Sequence, residues 1–128
     1  MSVAQRQNRI SAVPVFAVLA ASVVVGIAGQ VFLAGLAVFG GAAGFDLHGA
    51  FGGALSLPIL ALVVLALRRG PARRFLGHTV ALLALYILQF VLIISGRDLG
   101  LPVVSALHPA NAVVLTTVAV LLARRAMG

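Results

Sequence analysis

Residues 47–69, "LHGAFGGALSLPILALVVLALRR", run from Leu47 to Leu67 without an acidic or basic residue other than His48, then close on an arginine pair. A helix needs roughly 20 apolar residues to cross the ~30 Å hydrocarbon core of a bilayer. The stretch therefore predicts a transmembrane helix over 47–67. Pro58 lies mid-span, where its missing N–H and its ring predict a kink one turn earlier.

Working outward, three more segments are long and apolar enough to span: 12–38, 75–95 and 103–123. The composition agrees, with 62% hydrophobic residues, 9% charged residues and a mean hydropathy of +1.21. Soluble domains carry about 25% charged residues. The first span exceeds the roughly 7–15 apolar residues of a signal-peptide core, so it reads as a retained helix. The links "GGAAGFD", "RRGPARR" and "GRDLGLP" are short, and short links make consecutive helices antiparallel neighbours. The expected fold is an all-α membrane protein, a four-transmembrane-helix antiparallel bundle forming a single domain over 1–128.

Charge placement orients it. Arg6 and Arg9 precede the first span; Arg68, Arg69, Arg73 and Arg74 fill the second link; Arg124 and Arg125 follow the fourth span. Only Arg97 falls on the other side, together with both acids, Asp46 and Asp98. The positive-inside rule puts the eight-arginine side and both termini in the cytoplasm, as expected for a multi-pass protein of a bacterial cell (inner) membrane. The formal net charge of +7 does not imply nucleic acid as a partner, because the arginines flank apolar runs and form no basic face interleaved with aromatics. Lipid is the expected partner. At the helix starts, Asp46 and Ser105 are expected N-caps of spans 2 and 4. Pro109 then falls in a first turn, and Pro14 near the start of span 1.

Polar landmarks repeat against the apolar background. Gln30 precedes His48 by 18 residues and Gln89 precedes His108 by 19; each histidine opens a span that ends in an arginine pair. The chain reads as two repeated helical hairpins in the same orientation, related by a pseudo-twofold along the membrane normal. His48 and His108 then enter at the same, outer, end. Four residues on lie Gly52 and Ala112, and eight on Ser56 and Thr116, so each histidine heads a helix face of small residues. Such a face leaves room for something flat.

The chemistry that suits two facing imidazoles is axial coordination of one b-type haem per bundle. The absence of cysteine removes thiolate ligation and covalent haem attachment, and Met1 and Met127 are terminal. Gln30, Gln89, Asn111, Ser56 and Thr116 are the candidates to hold each ring's other nitrogen. Arg97 is the candidate partner of a haem propionate. Zinc and copper are less suited, with no carboxylate or third histidine beside the pair. His78, at the inner end of span 3, has no histidine at its depth and reads as interfacial. Tyr86 reads as a packed residue whose hydroxyl bonds a neighbouring helix. A contrasting reading is a cofactor-free small accessory subunit of a larger respiratory or other membrane complex, or a homo-oligomer, packed through the glycines and alanines of "GLAVFGGAAG" and "GAFGGAL". A transporter or channel ranks last, since no acid lies inside a span.

A glutamine early in one span, a histidine opening the next on the outer side, and hairpin duplication together resemble one four-helix half of heme A synthase. The resemblance covers nearly the whole chain, and it implies that His48 and His108 are one half's haem-ligand pair; a haem-b protein of this kind is expected to serve electron transfer or haem handling at the outer leaflet. The motif "LHPANA" (residues 107–112) is also similar to an uncharacterised group of small bacterial four-helix membrane proteins with an LHPxNA motif. The chain departs from the larger family at Gly49 and Pro109, where that family follows its histidines with arginine. The nearest acid, Asp46, is not the family's outer glutamate, and a second four-helix half is absent. Oxidase chemistry on haem, and hence an enzyme, is therefore not the expectation.

Overall fold

The computed structural model describes the backbone of residues 3–41 and 43–128, and the side chains of residues 13–41 and 44–128. It contains α1 (Val3–Gly40), α2 (Ala43–Ala54), α3 (Ser56–Leu67), a 3₁₀ turn (Pro71–Phe75), α4 (Leu76–Asp98) and α5 (Pro102–Met127). Four segments can span a membrane: Val13–Gly40, Gly44–Leu67, Pro71–Asp98 and Pro102–Met127. These are the four expected spans, each lengthened at one or both ends because a helix need not stop where the hydrocarbon does.

The second span is split at Leu55, between α2 and α3. Pro58 explains the position, since its missing N–H leaves the carbonyl of Ala54 without its helical donor. The chain still bridges the break, with Leu55 N–H bonded to Phe51 O (3.2 Å) and Ile59 N–H to Leu55 O (3.3 Å). The break thus falls where the kink is expected, with Leu55 itself still helical (φ −63°, ψ −15°).

The helix starts differ from expectation. α2 begins at Ala43, so Asp46 lies within the first turn and not at the cap. α5 begins at Pro102, which takes the first helical position, where its absent N–H costs nothing. Ser105 is therefore inside the helix, and Pro109 sits two turns in and not in the first turn. Pro14 likewise lies within the longer α1. Arg6 and Arg9 have side chains outside the described residues.

α1 packs on α2, α3 and α5; α3 packs on α4; α4 packs on α5. The four spans thus close into a ring in which the α2–α3 span and α5 occupy diagonal positions. Both outer links turn on a glycine with positive φ, Gly41 (114°) and Gly100 (63°). After α4 the turn is a Schellman motif: Leu101 N–H bonds Gly96 O (2.8 Å) and Gly100 N–H bonds Arg97 O (3.2 Å). Gly100 supplies the left-handed residue this motif needs.

Packing divides the bundle into two halves. The inner half is an apolar core: Phe16, Ala20, Val23 and Ile27 of α1 meet Ile59, Leu62 and Ala66 of α3, Leu82 of α4, and Leu115, Ala119 and Leu122 of α5. Phe16 stacks on Phe75 at 5.0 Å between ring centroids, which seats the 3₁₀ turn. The surface is apolar in turn, with Val18, Val25, Phe32, Leu57, Val103 and Val113 all exposed, as lipid requires. Lipid tails are as apolar as these side chains, so close packing and interhelical hydrogen bonds, more than apolar burial, hold the helices together. Those hydrogen bonds are concentrated in the outer half.

Candidate functional site: two histidines at the outer end

His48 lies in the second turn of α2, and His108 in the second turn of α5. The antiparallel ring puts both at the end of the bundle away from the arginine pairs. Their rings face each other across the diagonal, with centroids 6.2 Å apart and planes at 69°. Both are half-buried.

The two rings are held in the same way. His48 Nδ1 lies 3.0 Å from the backbone oxygen of Gln30, and His108 Nδ1 lies 2.9 Å from the backbone oxygen of Gln89. A carbonyl only accepts, so in each ring Nδ1 carries the proton and Nε2 holds the free lone pair. A helical carbonyl can serve a second donor because it has two lone pairs. The repeat seen in the sequence spacing is therefore a repeat of hydrogen bonding.

The glutamine side chains add a second matched feature. The Gln30 amide packs against Gly52, filling the space a Cβ there would need. The Gln89 amide, with its nitrogen 2.7 Å from the His108 backbone oxygen and its oxygen 3.2 Å from the Ala112 N–H, reaches the equivalent turn of α5. In both hairpins the amide thus lies against the residue four after the histidine. Here the halves differ, since the Gln30 side-chain oxygen is buried with no hydrogen-bond partner among the described residues.

The other expected residues take different roles. The rings are not held by side chains of Asn111, Ser56 or Thr116. Asn111 donates to Leu85 O across to α4 (2.9 Å), and Thr116 bonds back to Ala112 O in its own helix (2.6 Å). Ser56 begins α3, half-buried beside the break. Gly52 is buried under Gln30 and Ala112 is half-buried, so the small-residue stripes do not leave the open space expected for something flat: the glutamine amides occupy it. Arg97 is exposed at the end of α4, and no hydrogen bond among the described residues fixes its side chain.

Tyr86 of α4 completes the outer half. Its hydroxyl donates to Gly52 O at 2.8 Å, one turn below His48 and beside the Pro58 break, with Gly53 O at 3.4 Å. Its ring meets Phe90 edge-on at 5.1 Å. The hydroxyl does bond a neighbouring helix, and the helix is the one that carries His48. Interhelical hydrogen bonds in membranes average about 0.6 kcal/mol. Tyr86→Phe should therefore lower the unfolding temperature of the detergent-solubilised protein by only a few degrees. A fall of fifteen degrees or more (roughly 2–4 kcal/mol for a domain of this size) would mean that the ring, and not the hydroxyl, had been displaced.

With Nδ1 of each ring bonded to a carbonyl, Nε2 is the nitrogen of each imidazole left with a free lone pair. Two nitrogens about 2 Å from one metal ion would put imidazole centroids about 6 Å apart, a separation that the 6.2 Å between these rings allows. Each ring can turn about its own metal–nitrogen bond, so crossed planes are compatible with such a pair. Among the described residues no third His, Cys, Asp or Glu joins them. A closed tetrahedral site cannot be assembled from these groups alone.

The inner end contrasts. His78, in the first turn of α4, accepts a hydrogen bond at Nε2 from Arg125 Nη1 in the last turn of α5. The partner missing from the sequence reading is thus an arginine. Its signal was present, because α4 begins and α5 ends on the same side of the bundle.

Residues 30–96 match the model of a family of unknown function. No curated protein and no solved structure matches the chain. The matched segment begins at Gln30, takes in His48, Gly52, Tyr86 and Gln89, ends at Gly96 and leaves His108 outside. It covers just over half of the sequence, and the chain belongs to this family of unknown function, DUF6220.

Proposed function

We propose that this protein is an integral membrane b-type haem-binding protein in which His48 and His108 would hold the haem iron through Nε2, serving electron transfer or haem handling near the outer membrane face. The observation that supports the reading is the paired geometry of the rings. Both Nδ1 atoms are committed to glutamine carbonyls, and both rings stand 6.2 Å apart across the bundle. Haem bound there supplies one-electron iron chemistry.

The chain's own residues do the rest. The Gln30 and Gln89 carbonyls fix the tautomer and rotation of each ring and raise the basicity of Nε2. The Gln30 and Gln89 amides and the Tyr86 hydroxyl hold the helix turns just below the histidines. The apolar inner core closes the bundle from that side and excludes water. Arg97, at the same outer end, is the cation available to a propionate. With every arginine but Arg97 at the opposite end or in the N-terminal segment, the protein sits in the bacterial cell membrane with both termini in the cytoplasm. The same ligand pair is what the resemblance of the sequence to one half of heme A synthase implies, while the missing outer glutamate argues against oxidase activity.

One measurement tests the reading: the absorption spectrum of the protein purified in mild detergent, before and after dithionite. A stoichiometric Soret band with sharp α and β bands on reduction is the expected result. A colourless, well-folded protein that takes up no added hemin would overturn it and leave a cofactor-free subunit of a larger complex as the reading.

A further inference from the structure

The inner end of the bundle carries a second constellation, independent of the histidine pair. Arg73 and Arg74 lie in the 3₁₀ turn, His78 in the first turn of α4, and Arg124 and Arg125 in the last turn of α5. Both acidic side chains of the chain, Asp46 and Asp98, are at the other end. No aspartate or glutamate is therefore available to neutralise these guanidinium groups.

Three of these cations are nonetheless held in place. Arg74 lies over the Phe75 ring, 4.7 Å from its centroid. Arg73 Nη1 reaches back to Leu67 O at 3.5 Å. Arg125 donates to His78 Nε2. An imidazole that accepts at Nε2 carries its proton on Nδ1, so His78 presents a donor of its own. The His78–Arg125 pair therefore offers only N–H groups: the Nδ1–H and the remaining guanidinium N–H bonds. A cluster made only of donors, positively charged and at the edge of a low-dielectric phase, is complementary to an anion rich in acceptor oxygens.

We propose that the His78–Arg125 pair, at the α4–α5 seam, binds the phosphate of an anionic phospholipid headgroup in the cytoplasmic leaflet. A lipid is the occupant that fits, because one turn deeper on the same helix faces lie exposed apolar residues, Ala81 on α4 and Leu121 on α5, which extend toward the hydrocarbon. Arg125 makes the forked contact to the phosphate oxygens, and His78 both orients it and adds one hydrogen bond. Basic residues at this depth gain appreciably from anionic headgroups.

The test uses the full chain in detergent and reads lipid retained by native mass spectrometry against added phosphatidylglycerol or phosphatidylcholine. Phosphatidylglycerol should be retained selectively. Arg125→Gln should weaken that retention about fivefold, the effect of one arginine near an anionic surface. Arg125→Lys, which keeps the charge and loses the fork, should fall between, and His78→Ala should also weaken retention. Arg69→Gln, in the link between α3 and the 3₁₀ turn, should have less effect than Arg125→Gln. Equal retention of the two lipids would overturn the proposal. So would equal losses in Arg69→Gln and Arg125→Gln, which would mean a uniform basic surface. Displacement of the lipid by millimolar inorganic phosphate would also overturn it, by making free phosphate the ligand.

Discussion

Replacing both histidines, His48→Ala with His108→Ala, should abolish the Soret band of the purified protein while leaving its helical content unchanged. Each ring is tied to its hairpin by a single bond to a glutamine carbonyl, so removing the ring strands no charge and leaves a carbonyl that still has its helical role. The fold should therefore survive the loss of the site. The single variants sharpen the expectation. With one ligand left, iron should become five-coordinate, shifting the Soret maximum and weakening haem retention by at least tenfold, about 1.4 kcal/mol. The two single variants should behave alike, since the rings are held at matched depth by matched bonds. A full Soret band in the double variant would remove these residues from ligation. A band lost in one single variant and unchanged in the other would mean that His48 and His108 do not act as a pair.

A larger effect on stability is expected where the hairpins close. A Cβ added to Gly44 of α2 would lie 2.6 Å from Ala37 Cα and 2.8 Å from Ala37 N of α1. A Cβ added to Gly96 of α4 would lie 2.5 Å from Ser105 N of α5. Both clashes are with backbone, which cannot rotate away as a side chain can. The helices would have to separate at the outer end, the end that sets the distance between the histidines. Gly44→Val and Gly96→Val should each cost about 2–3 kcal/mol, read as a lowered unfolding temperature. If haem is bound, both should also broaden its spectrum. Gly49→Val and Gly77→Val are the controls, since a Cβ at either position meets nothing within 4 Å. Both are helix positions, where the exchange should be neutral or should stabilise by a few tenths of a kcal/mol. Equal losses at all four sites would overturn the close-approach explanation.

How far the site could be read from the sequence depended on which groups do the work. The Gln30–His48 and Gln89–His108 spacings were visible because polar side chains are rare in these spans, and each proved to mark a hydrogen bond. What the glutamines contribute to the rings was not visible. The expectation gave that role to side chains, yet the acceptors are main-chain oxygens, which every residue possesses and no motif can mark. The small residues at 52 and 112 suggested open space, whereas the neighbouring helix fills it with glutamine amides. The starts of α2 and α5 were misplaced for a local reason. Asp46 and Ser105 are good caps, but the positive-φ glycines Gly41 and Gly100 end the preceding helices earlier in the links, and Pro102 starts α5 at once.

By itself, then, the sequence determined that there are four spans, which end carries the positive charge, where span 2 kinks, and that two hairpins repeat. These follow from the length of apolar runs, the cost of charge in lipid and the missing N–H of Pro58, all properties of the chain read one segment at a time. Only the tertiary structure decided that α2 and α5 lie on the diagonal with their rings 6.2 Å apart, that Tyr86 is tied to Gly52, and that His78 meets Arg125. The reason is physical. Which faces of four similarly apolar helices meet is set by close approaches at small residues and by a few interhelical hydrogen bonds, terms too small and too non-local for any single segment to display.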